Sequence, residues 1–234
     1  MMDSRLLIIA VVAYLLGSIP FGYILVRLFL KQDIRQTGSG NIGATNVARS
    51  GKKGLAIATL LLDAGKGAAA VVAAAIIAAY LPRDSSSSDV ISSTQIHNAA
   101  FIPLEVAALC AILGHCFPVW LRFKGGKGVA TAVGAFLMIA PKAAFLSIAA
   151  FATVFAATRY VSLSSIASAA AFPILVNFTE PWLFTLLLLN LRVASSAILI
   201  LKHHGNIRRL IAGTEPKFGG KTIGTDPIQT EKSI

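Results

Sequence analysis

Apolar residues in this chain gather in long runs separated by short polar stretches, instead of forming the one-sided stripes of water-soluble helices. The first run covers residues 6–30 and is interrupted at Gly17, Pro20 and Gly22. Such breaks are tolerated in membrane helices, where neighbouring groups satisfy the freed backbone. An alanine-rich run covers 55–81, a third covers 99–121, and two more lie at 163–178 and 182–201. Residues 129–158 are apolar throughout but broken at Pro141-Lys142. Most of these runs approach the roughly 20 residues that a helix needs to cross the hydrocarbon core. The pattern predicts an all-α polytopic membrane protein with one integral membrane domain over 1–217 and a polar tail over 218–234. The first run is too long for a signal-peptide core and lacks a small-residue cleavage site, so it reads as a retained span. The stretch 82–98, with four consecutive serines, reads as a low-complexity loop.

Composition supports the membrane reading. Of the 234 residues 56% are hydrophobic and only 13% charged, against about 25% charged in a soluble domain. The formal net charge is +11, a value that would suggest nucleic acid in a soluble protein. Here the lysines and arginines sit mainly in 31–54, 122–128 and 202–234, the short segments where cytoplasmic positive charge is expected, so no nucleic acid is implied. If these segments share one side, an even number of crossings separates Lys127 from Lys202. Residues 129–158 must then form a hairpin of two short helices turning at Pro141-Lys142. That gives about seven transmembrane helices, N-terminus outside and C-terminus cytoplasmic. A single span over 129–158, giving about six, is the alternative.

Cys110 and Cys116 lie in one predicted helix and would point in different directions, so no disulfide is expected. No CxxC spacing or His/Cys cluster argues for a metal.

Three polar segments carry the candidate chemistry. In the first, Gly38, Gly40 and Gly43 allow backbone N–H groups to converge on an anion. Ser39 and Thr45 add hydroxyls, Asn41 and Asn46 add amides, and Arg49 can grip a phosphate bidentately. The spacing is not that of a Walker A loop, and the bland alternative is a glycine-rich turn between spans. In the second, His115 precedes a turn in which Lys124 and Lys127 bracket Gly125 and Gly126, with Gly128 and Thr131 following at the start of an apolar helix. Two ammonium groups at a helix N-terminus suit an oxyanion; interfacial lysines can also anchor a loop to lipid headgroups. The third, over 202–217, combines His203, Asn206, Arg208 and Glu215 beside the last span, where the bland reading is a solvated basic tail. Within the spans, Asp63 and Lys66 are spaced to pair on one face. Arg192 needs a partner, with Asp63 and Glu105 both available.

The segments SGNIGATNVAR, GHCFP followed by FKGGKGVAT, and the pattern H-x-x-N-I-x-R-L-x-x-G-x-E-x-K resemble the three signature motifs of the bacterial acyl-phosphate-dependent glycerol-3-phosphate acyltransferases, the PlsY family. All three occur in order, so the resemblance covers nearly the whole chain. It implies transfer of a fatty acyl group from acyl phosphate to the 1-hydroxyl of sn-glycerol 3-phosphate, giving 1-acyl-sn-glycerol 3-phosphate for phospholipid biosynthesis. It also implies a bacterial inner-membrane location, an active site facing the cytoplasm, and no cofactor.

By the same resemblance Ser39, Arg49, Lys127, His203 and Asn206 bind and align substrate phosphate. Lys124 and the amides of Gly125, Gly126 and Gly128 hold a phosphate as charge develops. Asn41, Thr45, Asn46 and His115 order these groups, and Glu215 ties the third segment down. Neither a G-x-S-x-G elbow nor an H-x-x-x-x-D signature occurs, so direct attack by the glycerol hydroxyl is expected, with a substrate phosphate accepting the proton. The competing classes are a carrier for anionic metabolites and a structural protein whose basic loops bind anionic lipid. A carrier needs its site near the midplane, whereas these residues gather on one face.

Overall fold

The computed structural model describes residues 4–81, 93–183 and 185–219, and every regular element among them is helical. The first apolar run forms α1 (Ser4–Ser18) and α2 (Phe21–Leu30), broken around Pro20 as its sequence requires. Next come the short α3 (Ala44–Arg49) and the long α4 (Lys53–Tyr80), followed by α5 (Ser93–Cys116). The apolar stretch 129–158 divides into α6 (Val129–Ile139) and α7 (Pro141–Thr158). The chain continues through α8 (Val161–Thr179) and α9 (Leu186–Leu201) into α10 (His204–Ile211), which is bent from α9 by 57°.

Five helical stretches are long and apolar enough to cross a membrane, with α1 and α2 counted together, and the bent α9–α10 pair can supply a sixth. The break in 129–158 falls at Ala140, just before the expected Pro141-Lys142, and it divides the stretch unequally. The 11 residues of α6 span only about 16 Å, well short of the hydrocarbon thickness. Its burial explains how so short a helix is tolerated: Thr131, Ala132, Gly134, Ala135, Phe136 and Ile139 are all inside the bundle.

Backbone contact through glycine sets the bundle's tightest crossings. A Cβ on Gly134 of α6 would strike the carbonyl of Ala64 on α4, and one on Gly67 of α4 would strike the carbonyl of Thr131. The α1–α5 crossing uses the same device, with Gly17 against Ala111 and Gly114 against Tyr14. Close approach through small residues is how helices gain contact in a solvent as apolar as themselves. One fully enclosed charge pair lies in the bundle: Arg192 Nε donates to Glu105 Oε1 at 2.6 Å. Arg192 Nη1 also donates to the Leu183 carbonyl at 3.2 Å. Of the two partners open to Arg192 in the sequence, the fold selects Glu105.

Three boundaries differ from the sequence expectation. The third apolar run leaves the α-helix at Cys116, because Pro118 cannot continue it and residues 119–121 form a 3₁₀ turn. The polar segments at 31–54 and 202–217 are not plain loops, since they contain α3 and α10. The serine-rich loop expected over 82–98 is helical from Ser93 onward, while 82–92 lie outside the described residues, as does most of the tail beyond 217.

Candidate functional site

The first polar segment is held by one buried side chain. Asn46 of α3 accepts from the Ser39 amide at 2.8 Å through Oδ1. Its Nδ2 donates to the carbonyls of Ile34, Thr37 and Asn41 at 3.1, 3.0 and 2.8 Å. Asn41 Oδ1 in turn accepts from the Gly43 amide at 2.9 Å, and the Gly40 amide donates to the Thr37 carbonyl at 3.0 Å. This corrects the anion-nest reading of the glycines, because the Ser39, Gly40 and Gly43 amides are all engaged within the segment. Gly38 and Gly40 have φ of +56° and +69°, which permit the tight turn. The turn leaves Ser39 and Arg49 exposed. Thr45 begins α3 on the same surface, half-buried.

The second segment packs against the end of α5. A Cβ on Gly126 would strike the His115 ring, and one on Gly125 would strike Pro118 and the His115 carbonyl. The Gly126 amide donates to the His115 carbonyl at 3.0 Å, so it too is unavailable to a phosphate. Gly128 turns with φ +81° into α6. Arg122 and Phe123 both occupy the left-handed region, at φ 52° and 62°, which is uncommon for residues with a Cβ. Lys124 follows them and is exposed.

His115 and Thr131 lie beneath this turn. Their Nδ1 and Oγ1 atoms are 3.2 Å apart, and both residues are buried. Asp63 Oδ1 lies 3.6 Å from His115 Nδ1 and 2.8 Å from Lys66 Nζ. Lys66 also donates to the Ile19 carbonyl at 2.7 Å, at the break between α1 and α2. The network joins α4, α5 and α6 under the polar surface, so Asp63, Lys66, His115 and Thr131 support the site from behind.

The third segment locks onto the second through a chain of side-chain hydrogen bonds. Lys127 Nζ donates to Asn206 Oδ1 at 2.6 Å, and Asn206 Nδ2 donates to Glu215 Oε1 at 2.6 Å. Glu215 Oε1 also accepts from Ser162 Oγ at 2.7 Å, and Oε2 accepts from Arg209 Nε at 2.7 Å. Although burial opposes it, these donors hold the Glu215 carboxyl below its usual range. Burial brings the Lys127 ammonium down to about 8, with Glu215 opposing the shift and Arg209, Arg49 and Lys202 adding to it. His203 is buried, and burial together with the Lys127 charge lowers its pKa to about 4. Its Nδ1 lies 2.7 Å from the Leu199 carbonyl. A carbonyl only accepts, so Nδ1 carries the proton and Nε2 is left as an acceptor.

These contacts bring Arg49, Lys127, His203, Asn206 and Glu215 to one end of the bundle. Three participants were not singled out by sequence. Arg209, not Arg208, reaches Glu215, although both are exposed. The signal available was its i, i+3 spacing from Asn206 on α10, which puts both on one helix face. Ser162 was hidden among the serines of α8. Lys202, read only as the start of the tail, donates to the Cys116 carbonyl at 3.1 Å and lies 4.5 Å from the Phe117 ring centroid. An open cavity beside Tyr23, Arg27 and Lys31 contains none of the candidate residues. A narrow apolar groove between α6, α7, α8 and α9 begins at Val129 and Leu199, directly under Lys127 and His203.

Comparison with known proteins identifies the family. The sequence profile described as glycerol-3-phosphate acyltransferase matches residues 7–213. The chain is 45% identical to the glycerol-3-phosphate acyltransferase of Syntrophotalea carbinolica over 90% of this chain and 96% of that one. It is 42% identical to that of Bartonella henselae over 93% of each. The fold matches the crystal structure of PlsY (YgiH), described as an integral membrane glycerol 3-phosphate acyltransferase, in its glycerol 3-phosphate form. The TM-score is 0.75 at 34% identity, covering 92% of this chain and 96% of that one. The lysophosphatidic acid form of the same protein matches with a TM-score of 0.73 at 33% identity, covering 92% and 95%.

Proposed function

This chain belongs to the PlsY family of integral membrane glycerol-3-phosphate acyltransferases, and from that premise we propose that its acyl donor is acyl phosphate. In this reading the 1-hydroxyl of sn-glycerol 3-phosphate attacks the acyl carbonyl. The new ester C–O bond forms as the bond from carbonyl carbon to phosphate oxygen breaks, and inorganic phosphate leaves with the hydroxyl proton. The products are 1-acyl-sn-glycerol 3-phosphate and phosphate.

The observation that carries the proposal is the Lys127–Asn206–Glu215 chain, which unites two polar segments within reach of the Arg49 charge, with an apolar groove opening beside it. A phosphate-bearing head and a hydrocarbon chain would then be held at adjoining places by different chemistry. Ser39, Arg49 and Lys127 would hold phosphate oxygens, with Lys124 and Arg208 at the exposed rim. Asn206 would hold the Lys127 ammonium in line, and His203 Nε2 would accept from the attacking hydroxyl and orient it. With a pKa near 4 His203 is a poor final acceptor at neutral pH, so the departing phosphate takes the proton. Acyl phosphate is already an activated anhydride, and positioning with electrostatic stabilisation meets most of the demand.

Placement in a bacterial inner membrane with this end facing the cytoplasm follows from the same reading, since the basic segments lie at the site end. The test is direct. Detergent-purified protein given acyl phosphate and glycerol 3-phosphate should yield lysophosphatidic acid and phosphate in equal amounts. Product from an acyl thioester but none from acyl phosphate would overturn the donor assignment, and a trapped acyl-enzyme would overturn direct attack.

A further inference from the structure

Every side chain lining the groove beneath Lys127 comes from α6, α7, α8 or α9. The end nearest the polar site is lined by Val129, Ser165 and Leu199. Val129 is two residues beyond Lys127, Ser165 is one turn beyond Ser162, and the Leu199 carbonyl holds His203. Along the walls the side chains are small: Ala132, Ala144, Ser168 and Ala169. At the far end Phe136 of α6 and Phe172 of α8 meet with ring centroids 4.3 Å apart. Beyond them the core is closed, since Ala140, Ala143 and Val176 are 0% exposed and Leu183 is 1% exposed. The groove therefore has a floor.

Its depth can be read from the helices. Val129 to Phe136 and Ser165 to Phe172 are both seven-residue steps, two helical turns or about 10 Å. An extended hydrocarbon advances roughly 1.3 Å per carbon, given bonds of about 1.5 Å, so about eight carbons lie between the site end and the floor. The remainder of a longer chain must leave sideways toward lipid, where its contacts with this protein are few.

We propose that the Phe136–Phe172 pair is the ruler of acyl-chain selection, discriminating donors by how their first eight or so carbons fill the groove. The inference rests on the acyl-phosphate reading above. The side walls are lined by small side chains, whereas two tilted aromatic rings in contact close the far end. Methylenes entering the groove leave lipid as apolar as its walls, so selection comes from packing contacts and not from transfer out of water. The preference should therefore rise with chain length up to the floor and level off beyond it.

The experiment compares kcat/KM over a series of saturated acyl phosphates, from chains shorter than the groove to chains much longer, at fixed glycerol 3-phosphate. Wild type should show the rise and plateau. Phe172→Ala and Phe136→Ala should move the break to longer chains, with several-fold gains for long over short donors. Ala169→Phe should move it to shorter ones. Phe172→Leu, a milder change, should give an intermediate shift and guards against loss of folding in the alanine variants. The order of protection against heat should follow the same ruler when non-reacting alkyl phosphonates of graded length replace the donors. Active variants whose length profiles superimpose on that of wild type would overturn the ruler while leaving the acyl-phosphate reading intact. A wild type inactive with every acyl phosphate would instead overturn the donor assignment.

Discussion

At the scale of single residues the site depends on Lys127, whose ammonium meets Asn206 at 2.6 Å and whose pKa falls to about 8. Phosphate binding favours the charged lysine. Below pH 8 the free protein already carries that charge, so the glycerol 3-phosphate KM should be nearly flat between about pH 7 and pH 8. Above it each binding event must take up a proton, and KM should climb toward about tenfold per pH unit. Initial-rate measurements in the Lys127→Arg variant, which stays charged across this range, should lose the climb. Lys127→Ala should lower kcat/KM by roughly 10²–10³, the usual effect of removing one preorganised charge donor, and Asn206→Ala should act in the same direction. Lys127, His203 and Asn206 each had a bland reading in the sequence, and it was the resemblance of the three segments, taken together, that grouped them. Sequence misjudged the amides of Gly40, Gly43 and Gly126. Glycine-rich turns that cradle an anion and turns that satisfy themselves use the same residues, and only the contacts to the Thr37 carbonyl, Asn41 Oδ1 and the His115 carbonyl distinguish them.

At the scale of elements the positions of the site residues depend on helices meeting backbone to backbone. The α4–α6 crossing is the instructive case, because α6 opens directly out of the Lys127 turn and is too short to hold itself across a membrane. Gly134→Ala places a methyl against the Ala64 carbonyl, so α6 must shift and carry the Gly128 turn with it. Gly65 lies on the same α4 with nothing within 4 Å of its added Cβ. Gly65→Ala should therefore be neutral or slightly stabilising, by up to about 1 kcal/mol of helix propensity. Thermal unfolding in detergent should separate the pair: a lowered Tm with reduced activity for Gly134→Ala, and neither for Gly65→Ala. The apolar runs, the break near Pro20 and the break before Pro141 were legible because proline and hydrophobic length act locally. The helices α3 and α10 were not, since each is short and held by side-chain contacts outside itself: α3 through Asn46 to the carbonyls of Ile34, Thr37 and Asn41, and α10 through Asn206 and Arg209 to Glu215. The early end of α5 was masked by Phe117 and Trp120, which are 40% and 63% exposed and keep the sequence apolar after the α-helix has stopped.

At the scale of the whole molecule the fold sorts charge to opposite ends. Lys127, Lys202, Arg49 and Arg209 act on one another at the site end. At the other end Arg5 Nη1 lies 3.4 Å from the Leu81 carbonyl, and Glu180 accepts from the Lys142 amide at 3.0 Å. If 129–158 turns back at Pro141, Lys142 lies across the membrane from both Lys52 and Lys217; if those residues form one crossing, Lys142 is buried at mid-span. All three lysines are exposed in the isolated chain and none belongs to the proposed binding set. Single cysteines at these positions, in a background with Cys110 and Cys116 replaced by serine, can therefore report the topology of intact cells. A membrane-impermeant thiol reagent should label Lys142→Cys from outside. Lys52→Cys and Lys217→Cys should react only after the membrane is opened. Labelling of Lys52→Cys from outside would invert the orientation. A silent Lys142→Cys together with an externally labelled Lys217→Cys would require a single crossing there, which would put the Lys127 and Asn206 segments on opposite sides. That outcome would break the 2.6 Å bond between them, so the labelling pattern tests the site and the turn at Pro141 together.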